Sequence, residues 1–164
     1  FYRPDDAERA LSEHLESVIT LWPYIALVDA FQHWVYENPR PARSPGACDA
    51  EWEALWRRFM PGIDYSGFED TLRTGWQRKL HIHQIPFYYI EYGMAQLGSV
   101  QIWKNSLEDR AGALASYRRA LALGGTASLP DLYSAAGARF SFDRPALKEA
   151  VDLVMGTLRE RGAI

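Results

Sequence analysis

Leu11-Ser12-Glu13-His14-Leu15-Glu16-Ser17-Val18-Ile19-Thr20-Leu21-Trp22-Pro23-Tyr24-Ile25 is the stretch that decides the fold class. Leu11, Leu15, Val18, Ile19, Trp22 and Ile25 recur at helical spacing, with Ser12, Glu13 and Glu16 between them. That is the pattern of one buried helix face. Upstream, Pro4-Asp5-Asp6 suits a helix start, because carboxylates are favoured at the positive N-terminal end. Pro23 lacks a backbone donor and crowds the preceding turn. The pattern therefore predicts a kink or a break there, and a second helix over 24–37.

The same period continues outward. Residues 38–46 hold three prolines, a glycine and two arginines and read as a loop. An amphipathic helix is expected over 49–60, with Trp52, Leu55, Trp56 and Phe59 inward and Pro61-Gly62 as its stop. Asp64-Tyr65-Ser66-Gly67 reads as a turn, and 68–79 as helical. Pro86 suits a first helical turn, so a long helix is expected from it through Trp103. Further helices are expected over 107–123, closed by Gly124-Gly125, over 129–136, and over 145–159 with Asp143 as its cap. No hairpin signal and no sustained period-2 run occurs. The expected class is all-α, one helical domain over 1–164.

Composition narrows the function. Lys+Arg number 18 and Asp+Glu 21 in 164 residues, a net charge of −3, with 48% hydrophobic and 24% charged residues. That balance belongs to a globular chain with a real core. It offers no basic stripe, so no nucleic-acid partner is expected. The single cysteine, Cys48, excludes a disulfide framework within the chain, and it has no neighbouring base to make it reactive. The longest apolar run, 85–100, carries Glu91 and Gln96 and is too short to span a bilayer. No leader pattern follows Phe1, so the expected setting is the cytoplasm, away from membranes.

Two places could carry chemistry. Asp29, Gln32, His33 and Tyr36 fall at i, i+3, i+4 and i+7 on a helix otherwise apolar. They form the polar wall of a cleft, a solvent-facing stripe, or a hydrogen-bonded Asp29–His33 pair. Asp29 and His33 could supply two metal ligands, but a catalytic zinc needs a third, and no His-Glu-x-x-His occurs. No metal site is expected within the chain.

The second place is Leu80-His81-Ile82-His83-Gln84-Ile85-Pro86-Phe87-Tyr88-Tyr89-Ile90-Glu91-Tyr92-Gly93. On a helix opened by Pro86, Tyr88, Glu91 or Tyr92, and Gln96 share a face. Tyrosine hydroxyls in a cleft donate hydrogen bonds to a peptide carbonyl or to the oxyanion formed on attack. Aromatic core packing accounts for the same pattern. Gly93, Ala95, Gly98 and Ser99 mark a close approach by another helix or by a ligand backbone. Leu114–Leu123 has the look of a tetratricopeptide helix, but no second copy occurs at that period. A non-catalytic peptide-binding or scaffold module is thus the alternative function.

Trp76-Gln77-Arg78-Lys79-Leu80-His81-Ile82 and Pro86-Phe87-Tyr88-Tyr89-Ile90-Glu91-Tyr92-Gly93-Met94-Ala95-Gln96-Leu97-Gly98 closely resemble the C-terminal part of oligoendopeptidase F-like zinc metallopeptidases, relatives of thimet oligopeptidase. Residues 28–36 and 120–126 are similar to that family in the same order. The resemblance implies a C-terminal piece of a longer helical enzyme that hydrolyses internal bonds of short peptides. Its zinc ligands and general base are expected upstream of Phe1, so the partners are short peptides and the N-terminal remainder of the polypeptide. It further implies Tyr88 or Tyr89 as oxyanion donor, with His81 and Tyr92 contacting substrate. His83 is expected to be ordinary, and this segment alone inactive.

Overall fold

Pro23 does not end the first helix: α1 runs unbroken from Pro4 to Glu37 in the computed structural model, which describes residues 2–164. The side chains of Pro4 and Asp5, including the Asp5 carboxylate expected at the helix start, lie outside that description. The expected break at Pro23 is therefore corrected, and magnitudes explain why. An interior proline costs about 3 kcal/mol or more. Each large apolar side chain buried contributes roughly 1.5–3 kcal/mol. Ile25, Leu27, Val28 and Phe31 are all buried just beyond Pro23 and together outweigh the missing bond.

Seven more helices follow: α2 (Pro45–Phe59), α3 (Glu69–Arg73), α4 (Leu80–Gln84), α5 (Ile90–Glu108), α6 (Arg110–Leu123), α7 (Leu129–Ala135) and α8 (Arg144–Glu160). Short 3₁₀ turns occupy Pro41–Arg43, Gly75–Arg78 and Gly124–Thr126. Among the described residues there is no strand, and the class is all-α. The chain divides into two compact units, one formed by the stretch up to Ile19 with Met94–Ile164, the other by Thr20–Gly93.

In the 20–93 unit, Leu27, Val28 and Phe31 of α1 pack with Cys48, Trp52 and Leu55 of α2. The Trp52 ring meets Phe31 edge-on, with centroids 5.2 Å apart. Helix α2 starts four residues earlier than expected, because Pro45 fits its first turn and the Ser44 carbonyl accepts from the amides of Ala47 and Cys48. The helix expected over 68–79 is divided. Gly75 lies against Trp52, where a Cβ would stand 2.9 Å from the indole nitrogen, and the chain tightens into a 3₁₀ turn there. Trp76 then donates from Nε1 to Asp49 Oδ1 at 2.8 Å.

In the other unit, Ala146, Ala150, Val154 and Leu158 form one buried stripe along α8. Asp143 accepts from the Ala146 amide at 2.8 Å, as expected of its cap. Asp109 caps α6 in the same manner, which moves the start of that helix from 107 to 110. Gly98 of α5 lies under the Tyr133 ring of α7, and the Tyr133 hydroxyl donates to the Met94 carbonyl at 2.9 Å. The close approach expected at this glycine is therefore made by a neighbouring helix.

That contact generates a prediction. A Cβ at Gly98 would meet Tyr133 Cε1 at 2.8 Å. Alanine gains about 1 kcal/mol in helix propensity. Forcing the ring aside and breaking its hydrogen bond costs roughly 1–3 kcal/mol from overpacking and about 1 kcal/mol from the bond. Gly98→Ala should thus lower the stability of the chain by about 1–3 kcal/mol in denaturant unfolding. A stabilised variant would show that Tyr133 yields freely.

Candidate functional site

The stripe on α1 and the tyrosine block belong to the same unit, 20–93. Their arrangement follows from a turn that pattern reading assigned to helix. Helix α5 begins at Ile90 and not at Pro86. The Tyr88 amide donates to the Ile85 carbonyl at 3.3 Å, closing a four-residue turn with Pro86 second and Phe87 third. Proline's fixed φ suits the second place of such a turn as well as it suits a helix start. The expected helical stripe of Tyr88, Glu91 or Tyr92, and Gln96 is corrected accordingly, because Tyr88 lies outside α5.

Phe87 has φ +62°, a backbone region that a bulky side chain enters at a cost of about 1–2 kcal/mol. Two contacts hold it. Its amide donates to Gln32 Oε1 at 2.8 Å, and Gln32 is 1% exposed. Its ring lies 5.0 Å from His33 and 5.0 Å from Tyr36, centroid to centroid. The other end of the Gln32 amide donates to the Val28 carbonyl at 3.4 Å. The polar stripe of α1 therefore grips the turn that precedes Tyr88 and Tyr89.

Beyond the turn, the block closes around one imidazole. His81 on α4 lies 6.3 Å from Tyr88 in a near-parallel stack, 4.9 Å from Tyr89 and 5.6 Å from Tyr92. His81 Nε2 and the Tyr92 hydroxyl are 3.3 Å apart, a hydrogen bond whose direction the tautomer sets. Tyr88 is 42% and Tyr92 44% exposed, while Tyr89 is half-buried. The four expected residues are thus brought together, with two phenol rings facing outward.

Two residues of this cluster escaped the sequence reading. Tyr24 meets Tyr89 edge-on at 6.1 Å, and Lys79 Nζ sits over both rings, 4.5 Å from Tyr24 and 5.5 Å from Tyr89. Nothing in the sequence marks either, since both read as ordinary helix residues. Burial pushes the phenols of Tyr24 and Tyr89 above their ordinary range, and the Lys79 cation pulls Tyr89 partly back. Both therefore stay protonated at neutral pH and can donate. His83 stands apart, packed 5.8 Å from Trp76.

Asp29 and His33 pair on α1, with Asp29 Oδ2 3.5 Å from His33 Nε2. Burial raises the Asp29 carboxyl above the usual carboxylate range, and His33 lowers it by less. Among the described residues, no three of His, Cys, Asp and Glu stand close enough to hold a metal ion. Asp29 and His33 provide two ligands at most, so the donor set present does not fit a catalytic zinc.

Residues 3–152 match the model of Peptidase family M3. The structure is similar to a solved one described as PZ peptidase A with inhibitor 2, at 35% sequence identity and a TM-score of 0.88. The likeness covers 95% of this chain and 28% of that one, so the chain spans little more than a quarter of that protein's length. No curated protein matches it.

The Asp29 pair carries a pH prediction. In the unfolded chain Asp29 ionises near its ordinary value of 3.8, and in the folded chain it ionises later. Between those values the folded state binds more protons, so wild type loses stability as pH rises through that window. Asp29→Asn removes the loss. Its stability relative to wild type should rise as pH is raised through and above 3.8 in thermal unfolding. A relative fall would mean that attraction to His33 outweighs burial.

Proposed function

The chain belongs to peptidase family M3, and from that premise we propose that it forms the substrate-binding end of the catalytic domain in a zinc-dependent oligoendopeptidase that hydrolyses internal bonds of short peptides. The observation that carries this reading is the convergence of His81, Tyr88, Tyr89 and Tyr92 within one contact shell. Attack on a peptide carbonyl makes a tetrahedral oxyanion, which neutral hydroxyl donors stabilise when they stand about 2.7–3.1 Å from it. Tyr88 presents an exposed ring, and Tyr89 is held by its packing on Tyr24, so either can serve as that donor. His81, with Tyr92 fixing its ring, then contacts the substrate backbone. The metal implied by the family has no ligand set here, and its ligands and the general base come from other parts of the polypeptide.

A second observation supports a segment that packs against further polypeptide. Leu114, Tyr117 and Leu121 form an exposed apolar stripe along α6. Beside it lies a cavity of about 310 Å³, lined among others by Ala95, Gly98, Ile102 and Leu132. Stripes of this kind mark interaction surfaces.

Two experiments test the proposal. In the full-length peptidase, Tyr→Phe at the donor position should lower kcat by about 10²–10³ and leave KM within a few-fold, because the bond forms mainly in the transition state. Small and equal effects at Tyr88, Tyr89 and Tyr92 would return all three to packing. The isolated 164-residue chain should bind apolar dye or self-associate, and should not cleave a quenched peptide. Chelator-sensitive cleavage by the isolated chain would overturn the proposal. A clean monomer that binds peptide without zinc would instead favour the non-catalytic binding module.

A further inference from the structure

We infer that Gln32 is a positioning residue: its buried side-chain carbonyl holds Phe87 in the left-handed conformation and so sets where Tyr88 and Tyr89 stand. The inference rests on the reading of those tyrosines as transition-state donors. It begins from an oddity of chemistry. The third place of the Ile85–Tyr88 turn, where positive φ is met by glycine or asparagine in most turns, holds a phenylalanine at +62°. A conformation of that cost persists only when its surroundings over-determine it.

The determinants are all on α1. Gln32 is the sole buried polar residue in the described core, and its amide is engaged at both ends. Val28 takes the Nε2 donor and thereby turns Oε1 toward the Phe87 amide. A buried amide without its acceptor would incur a full desolvation penalty, so the turn has one favoured seating. His33 and Tyr36 flank the Phe87 ring and prevent the alternative in which it rotates outward. Tyr88 and Tyr89 follow directly in the chain, and Tyr89 then seats against Tyr24, one helical stretch back on α1. Both ends of the short segment 87–89 are thus referenced to the same rigid helix. Catalytic groups displaced by about 1 Å can lose 10²-fold in rate, which makes this referencing consequential.

The test uses the full-length peptidase, with metal content and folded fraction measured for each variant. Gln32→Met keeps the volume and removes the acceptor. Gln32→Glu keeps an acceptor oxygen for the Phe87 amide. Expected for Gln32→Met is a fall in kcat of about 10–100-fold with KM within about 3-fold. Gln32→Glu should stay within about 5-fold of wild type at low pH, where the buried carboxyl is protonated and donates to the Val28 carbonyl while accepting from Phe87, and should lose activity as it ionises. If Gln32→Met does not fold, Gln32→Asn, one methylene too short to reach, takes its place with the same expectation. Equal losses in Gln32→Met and Gln32→Glu at every pH tested would assign Gln32 to core packing and overturn the inference. So would wild-type kcat in Gln32→Met alongside large losses in Tyr88→Phe or Tyr89→Phe, which would leave the function reading intact. Flat kcat in the tyrosine variants as well would overturn the function reading, and this inference with it.

Discussion

Burial of one face of α1 is the constraint on which the Thr20–Gly93 unit depends. Leu27, Val28 and Phe31 have no exposed surface, and Ile25 has almost none. That face is strong enough to carry the helix through a proline that would end a less buried one. Because the helix is continuous over the whole of this face, Tyr24, Gln32, His33 and Tyr36 keep a fixed angular relation. Tyr24 supports Tyr89 from behind, and the other three hold the turn that delivers it.

The turn at Ile85–Tyr88 is the second decision point. Proline satisfies both a helix start and the second place of a turn, since each requires φ near −65°. Local preference does not separate the two. What separates them is a partner more than fifty residues away, the Gln32 carbonyl, which takes the Phe87 amide. Had the helix begun at Pro86, that amide would have pointed along α5 and Gln32 would have stayed buried without an acceptor's donor. Two polar groups, each costly alone, resolve one another across the fold.

How much was legible follows from this difference between local and distant causes. The all-α class, the α6 and α8 stretches and the Asp143 cap follow from spacing or from local chemistry, and each is present. The grouping of Tyr88, Tyr89 and Tyr92 about His81 is implied by the family resemblance and not by helical spacing, which the turn at Pro86 interrupts. The failures have distant causes. The helix through Pro23 depends on burial that no window reveals. The division of 68–79 depends on Gly75 lying against Trp52. The late start of α5 depends on Gln32. Lys79 and Tyr24 join the site through ring contacts, which residue type alone does not signal. Gln32 itself was visible as one member of the polar stripe on an otherwise apolar helix, yet its burial, not its polarity, gives it a role.

The electrostatic character of the cluster bears on why tyrosines occupy it. The Lys79 ammonium lies over the faces of Tyr24 and Tyr89, and the Arg78 charge also acts on Tyr24. A bare cation at the position of the developing oxyanion would attract the carbonyl of the bound substrate as well as the transition state, and uniform binding does not raise turnover. Neutral phenols interact weakly with a carbonyl and more strongly with an oxyanion, because a hydrogen bond to a charged acceptor is about twice as strong. Burial holds Tyr89 in the protonated form that donates, and the Lys79 ammonium opposes that rise only in part. On the proposed function, the neutral hydroxyls and not the ammonium meet the developing charge. Under that proposal the site favours charge only when it forms, which is the condition for lowering a barrier and not merely binding a substrate.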